Sequence, residues 1–241
     1  MRTNRLNVWI SLAAVFLSAG RISKAAPPER ELGTQANVMV EMEVKAERTY
    51  TDPFNEVTLD VVFTDPRGKE AKVPAFWAGG NTWKVRYSSP LPGTHRFQST
   101  CTEAQDAGLH ALSGRIQVTG YTGKNLLCIH GGLKVAEDKR HFAYGDGRPF
   151  FWLGDTWWMG LTKRLAWPED VKALTENRLE KGFTVVQIVA GLYPDMPAFD
   201  ARGENEAGFP WEKDYARIRP EYFDMADRRI FYIADKGLVP C

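Results

Sequence analysis

From Asn37 to about Tyr121 the chain alternates apolar and polar residues with a period of two. Val38, Val40, Met42 and Val44 form one run, and Val57, Leu59, Val61 and Phe63 form another. Phe76 and Trp77 precede the turn Gly79-Gly80-Asn81, and Trp83, Val85 and Tyr87 follow it. His95 to Cys101 and then Ile116 and Val118 complete the series. Asp65-Pro66-Arg67-Gly68 and Pro90-Leu91-Pro92-Gly93 supply turns between the runs. Short strands with one apolar face, separated by turns, predict an antiparallel immunoglobulin-like β-sandwich of about seven strands.

Beyond residue 121 the period changes. Leu133–Val135 and His141–Tyr144 suit a small hairpin, with Gly145-Asp146-Gly147 as a turn. Phe150-Phe151-Trp152-Leu153 predicts a buried strand ending in the cluster Asp155-Thr156-Trp157-Trp158. A helix is expected from Pro168 to Lys181. Pro168 suits its first position, Glu169 and Asp170 complement its dipole, and Gly182 stops it. Phe183–Ala190 is almost continuously apolar, as a parallel strand buried on both faces requires. A second helix is expected from Pro220 to Lys236, and Leu238–Cys241 begins a third strand. Strands alternating with helices imply a parallel sheet, here the first part of a (β/α)8 TIM barrel.

The expected fold class is therefore multidomain, β followed by α/β. The expected boundaries are a signal peptide at 1–25, a polar linker at 26–36, the sandwich at 37–121, a connector at 122–132 and the start of a barrel domain at 133–241. A complete barrel takes roughly 200 to 250 residues, and only about 100 follow Leu133. The chain is accordingly expected to be the front part of a longer protein.

Charge and composition refine this picture. Arg2 and Arg5 precede the apolar run Leu6–Gly20, and Ser23-Lys24-Ala25 offers small residues for cleavage after Ala25. This is the pattern of a secretory signal, so a secreted or periplasmic protein is expected, without a membrane segment after cleavage. Four of the 31 basic residues and none of the 30 acidic ones lie in those first 25 positions, so the remainder carries a net charge of −3. A slightly acidic chain offers no footprint for nucleic acid. Of the three cysteines, Cys101 and Cys128 could pair in an exported protein, or all could be buried thiols. Neither their spacing nor that of the four histidines suggests a metal site, and no cofactor is implied.

Candidate chemistry gathers at the expected strand ends. Asp155 could hydrogen-bond sugar hydroxyls or orient a catalytic group, or it could cap the following turn. Trp157 and Trp158 could stack on a sugar ring or cover the end of a barrel. Gln187, a polar residue within an apolar strand, could contact a ligand or satisfy neighbouring backbone. The connection Gly191–Arg219 is long enough to suggest a task. It carries Tyr193, Asp195, Asp200, Glu204, Glu206, Trp211 and Asp214. Paired carboxylates are the equipment of glycoside hydrolysis, although loop carboxylates are more often solvated. There is no Gly-x-Ser-x-Gly elbow and no P-loop.

The Phe150–Trp158 stretch, together with Glu180-Lys181-Gly182-Phe183-Thr184-Val185-Val186-Gln187, resembles the start of the catalytic domain of apiosidase-like glycoside hydrolases. Phe76–Arg86 and Pro92–Phe97 resemble the immunoglobulin-like domain that often precedes such barrels. The resemblance implies a secreted (β/α)8 glycosidase with a polysaccharide or oligosaccharide substrate. It places the catalytic carboxylates on the fourth and seventh strands, so it implies no catalytic residue in this chain. Asp155, Trp158 and Gln187 match the family pattern at barrel-end positions, where substrate contacts are implied. The alternative is a non-catalytic carbohydrate-binding or adhesion protein working through its sandwich.

Overall fold

The structure is a computed structural model and describes residues 30–191, 193 and 195–241. The expected signal peptide lies outside the described residues. Within the expected linker, Arg30–Gln35 instead forms a strand, β1. There follow β2 (Val40–Lys45), a short helix α1 (Pro53–Glu56), β3 (Leu59–Thr64), β4 (Glu70–Pro74), β5 (Phe76–Trp77), β6 (Thr82–Tyr87), β7 (Gly93–Cys101) and β8 (Ser113–Thr119). They make two sheets, ordered β1-β8-β7-β3-β4 and β2-β6-β5. β1 runs parallel to β8, from Arg30 opposite Gly114 to Gln35 opposite Thr119. It is an edge strand without a buried side chain, held by backbone pairing, so no apolar alternation announces it.

The alternating residues meet between the two sheets. Met42, Val44, Trp83 and Val85 of the smaller sheet close on Leu59, Val61, Phe63, Phe97, Ile116 and Val118 of the larger. His95 and Asp106, two buried polar groups of the sandwich, are matched by partners, as an interior requires. His95 lies between the Tyr87 hydroxyl and the Leu91 carbonyl, 2.9 Å from each. Asp106 accepts from the Glu47, Arg48 and Gly108 amides and from the Tyr50 hydroxyl, at 2.8–3.2 Å. A Cβ on Gly108 would fall 2.1 Å from the Lys45 carbonyl oxygen, so this loop closes only with glycine there. Cys101, Cys128 and Cys241 are all free.

The expected connector contains a helix, α2 (Leu126–His130). The small strands β9 (Lys134–Val135), β10 (Phe142–Ala143) and β11 (Pro149–Phe150) then pair antiparallel. Next come β12 (Gly154–Trp157), α3 (Glu169–Glu180), β13 (Val185–Ile188), α4 (Pro220–Asp235) and β14 (Val239–Pro240). β12, β13 and β14 form a parallel sheet in that order. Both helices lie near their expected limits. Pro168 sits at the N-cap of α3 rather than one position inside it, and the Asp170 carboxylate reaches back to the Ala166 amide. α4 buries Tyr222, Ala226, Arg229 and Ile233, the spacing of one helical face. Trp157 and Val186 of the sheet pack against Val171 of α3, Ile233 of α4 and Leu238.

The expected strand at Phe150–Leu153 is corrected by one step. Phe150 is buried and ends β11, while Phe151 is 72% exposed and Trp152 45% exposed. The Thr184 hydroxyl donates to the Phe151 carbonyl and accepts the Leu153 amide, which carries the chain from one sheet into the other. The parallel strand begins only at Gly154, and the apolar run before it belongs to the junction.

α4 also joins the two halves. Arg86 of β6 pairs with Asp227, and Asn125 donates to the Ala234 carbonyl at 2.8 Å while capping α2 through the Leu127 amide.

Candidate functional site

The register of the parallel sheet sorts the candidate residues by face. Asp155 lies opposite Val186 and Trp157 opposite Ile188, while Thr156 lies opposite Gln187. Successive side chains on a strand point to opposite faces. Trp157 and Val186 belong to the core beneath the helices, so Asp155 shares the helix-covered face. Thr156 and Gln187 occupy the other face and are exposed. Trp158, in the turn directly after β12, is 56% exposed.

Asp155 is thus turned away from the open face. One carboxylate oxygen accepts from the Thr156 amide, and the other from the Trp157 indole at 2.9 Å and from the Arg178 guanidinium of α3. Burial pushes its carboxyl upward, but Arg178, Trp157 and Thr156 outweigh this and hold it below the usual range. It is an ionised residue that ties β12 to α3. A cleft of about 320 Å³ lies beside it, lined also by Arg164, Leu165 and Leu174, on the helix side.

Gln187 departs from the expectation of a buried amide. It lies on the sheet face away from the helices, where Val185 is buried but the Gln187 side chain is exposed to solvent. Thr156 was not among the expected site residues, although the alternation along β12 places it beside Gln187. The structure therefore brings Thr156, Gln187 and the neighbouring Trp158 to the open face and the carboxyl end of the sheet. It assigns Asp155 to the opposite side.

The connection from β13 to α4 is ordered by ion pairs. Glu206 bonds Arg229 of α4 at 2.8 and 3.1 Å, and Arg229 is completely buried. Glu204 pairs with Lys163. Asp200 bonds Arg202 through the side chain and the amide, which pulls its carboxyl down to about 2. All three carboxylates are paired with cations. Burial pushes Glu206 upward, but Arg229 beside it, like Arg202 beside Asp200, holds the carboxyl below its usual range, so neither Glu206 nor Asp200 is a proton donor near neutral pH. Arg229 was missed in the sequence; the signal was a charge on the apolar stripe of a helix, which calls for a buried partner. Phe199, Asp214 and Tyr215 adopt left-handed backbone conformations, with φ between 57° and 60°. Trp211 packs edge-on against Phe54 of α1, and Asn55 donates to the Ala216 carbonyl at 3.1 Å. The sandwich therefore braces the loop. Among the described residues no cluster could hold a metal ion, and no helix is long and apolar enough to cross a membrane.

Comparison with known families bears on both halves. Residues 136–241 match the family described as apiosidase-like, catalytic domain. Residues 36–102 match a domain of unknown function, DUF5060. No curated protein matches the chain. Among solved structures, a candidate glycoside hydrolase from Bacteroides vulgatus superposes with a TM-score of 0.63 at 21% identity, over 88% of this chain and 40% of its own length. This chain thus spans about two fifths of that protein. A family 5 glycoside hydrolase from Bacteroides vulgatus is 26% identical over 46% of this chain and 24% of its own, with a TM-score of 0.35. The first superposition shows a shared fold, and the family match supports a glycoside hydrolase-type function.

Proposed function

We propose, from the match of residues 136–241 to the apiosidase-like catalytic-domain family, that the chain is the N-terminal part of a secreted glycoside hydrolase acting on complex polysaccharide. β12, β13 and β14 are then the first three strands of a (β/α)8 barrel, preceded by an immunoglobulin-like domain. The observation that carries this reading is the asymmetry of the parallel sheet. Helices cover one face, while the other presents Thr156 and Gln187, with Trp158 at its carboxyl end. In barrels of this kind the interior face and the carboxyl ends of the strands hold the site.

The roles follow from the side chains. Trp158 offers an aromatic face to a sugar ring. The Gln187 amide and the Thr156 hydroxyl can exchange hydrogen bonds with sugar hydroxyls. Asp155 acts at one remove, by fixing β12 against α3. Hydrolysis needs one carboxylic acid to protonate the leaving oxygen and one carboxylate to attack the anomeric carbon or activate water. Those two groups are supplied by polypeptide beyond Cys241. Export rests on the basic and apolar leader at residues 1–25.

The test is a reducing-sugar assay on plant polysaccharides. Protein extending beyond Cys241 is expected to release sugar, and the 241-residue chain alone to release none. Hydrolysis by the 241-residue chain, or failure of the longer protein on every glycan tried, contradicts the proposal.

A further inference from the structure

We propose that the cleft between the sandwich and the first half of α4 is a second glycan-binding subsite that takes neutral sugars. It deepens the glycosidase reading above and rests on it for the class of ligand. The cleft measures about 350 Å³ and is lined by Phe76, Trp77 and Arg86 from the sandwich and by Phe223, Asp224 and Asp227 from α4. Cavities of this size at domain junctions are common ligand sites, built from apolar walls with a few polar groups.

The wall is fixed before any ligand arrives. Arg86 donates to Glu41 at 2.8 Å and to Asp227 at 3.0 Å, and its guanidinium lies 4.9 Å from the Phe76 ring centre and 5.1 Å from that of Phe231. The Trp77 indole donates to the Gly80 carbonyl at 2.9 Å. A contact serving only to join two domains would bury its aromatic rings and pair its charges. Here Phe76 remains 37% exposed, and Asp224 is exposed, its side chain making no hydrogen bond or ion pair to another described residue. An open ring beside an unpaired carboxylate is the equipment for a sugar, whose C–H face lies on the ring while its hydroxyls donate to the acid. Among the described lining residues Arg86 is the one cation, against Asp224 and Asp227, and the neighbouring Glu41 is balanced by Lys84 at 3.2 Å. That balance favours a neutral sugar over a uronic acid.

Position supports the same occupant. α4 follows the carboxyl end of β13 and returns to the start of β14. Its N-terminal half therefore lies at the carboxyl end of the sheet, the end that carries Trp158. A polysaccharide crossing that end can continue into the cleft.

Affinity electrophoresis of the 241-residue chain, in gels cast with soluble arabinoxylan, xyloglucan or polygalacturonate, tests this without requiring catalysis. Retardation is expected in at least one neutral polymer. The double variant Phe76→Ala, Asp224→Asn is expected to lose at least tenfold in affinity at an unchanged thermal midpoint, and Phe76→Trp to retain binding. Absence of retardation in both neutral polymers overturns the proposal. So does a double variant retarded like its parent, or retardation in polygalacturonate alone. Retention in the gel without hydrolysis by the longer protein upholds the cleft and rejects the glycosidase.

Discussion

The two halves of the chain solve the same problem, burying an apolar sheet face, to different degrees. In the sandwich the faces of two sheets cover each other, and a continuous core runs from Ala36 to Val118. In the α/β half helices cover one side of a short parallel sheet, with Trp157, Val171, Val186, Ile233 and Leu238 as its buried cluster, while on the other side Val185 is buried but Thr156 and Gln187 are exposed. Parallel sheets are normally buried on both faces. The difference separates a unit that satisfies its own apolar surface from one that leaves a face open, and the open face carries Thr156 and Gln187. The second half is stabilised from the side by the sandwich, through Arg86 and Asn55, and by the connector, through Asn125.

The largest test of this comparison replaces one tryptophan in each half. Trp83→Ala removes a 1% exposed side chain from a core closed on both sides and is expected to cost about 4 kcal/mol in urea unfolding. Trp157→Ala is expected to cost less, because its surroundings are smaller. Equal losses would erase the distinction between the halves.

Arg229→Ala comes next, at about 3 kcal/mol, since it removes a buried cation and leaves Glu206 unpaired. Limited proteolysis should then cut within residues 191–219 and leave the sandwich intact. Equal cutting in parent and variant would show that this ion pair does not hold the loop.

Acid titration distinguishes the halves more finely. Burial pushes Asp106, Asp155 and Glu206 upward, but hydrogen bonds and cations outweigh it and hold each below its usual range. A folded value below the unfolded one contributes stability that is complete above the unfolded value and is lost as pH falls through the folded one. Unfolding midpoints should therefore be flat near neutrality and fall below about pH 4. Asp106→Asn should remove part of that slope from the sandwich signal only.

The smallest expected effect is the coupling between the halves. A double-mutant cycle of Arg86→Ala and Asp227→Ala should give about 1 kcal/mol, as for a partly exposed ion pair in a network. A coupling of zero would mean that the sandwich contributes nothing to α4 through this pair.

Most of the fold was legible because burial leaves a period. Leu59 to Phe63 alternates and lies in β3, and Val185 to Ile188 reads apolar except for Gln187 and forms β13. Helix limits were legible from Pro168, Pro220, Gly182 and Gly237, whose backbone preferences are local. β1 was not legible, because an exposed edge strand is held by main-chain bonds that every sequence can make. Phe151 and Trp152 misled because an apolar run marks burial only if something covers it.

Sequence alone determined the order of elements, the change from period two to alternating strands and helices, and the family likeness carried by Phe150–Trp158. These depend on neighbours along the chain. Tertiary structure alone decided that Asp155 faces Arg178, that Gln187 is open, and that Arg229 is buried on Glu206. Each of these depends on which face of a sheet the helices cover and on partners 23 or more positions away. A shift of one residue in the start of β12 reverses every facing, and a local pattern does not resolve so small a shift.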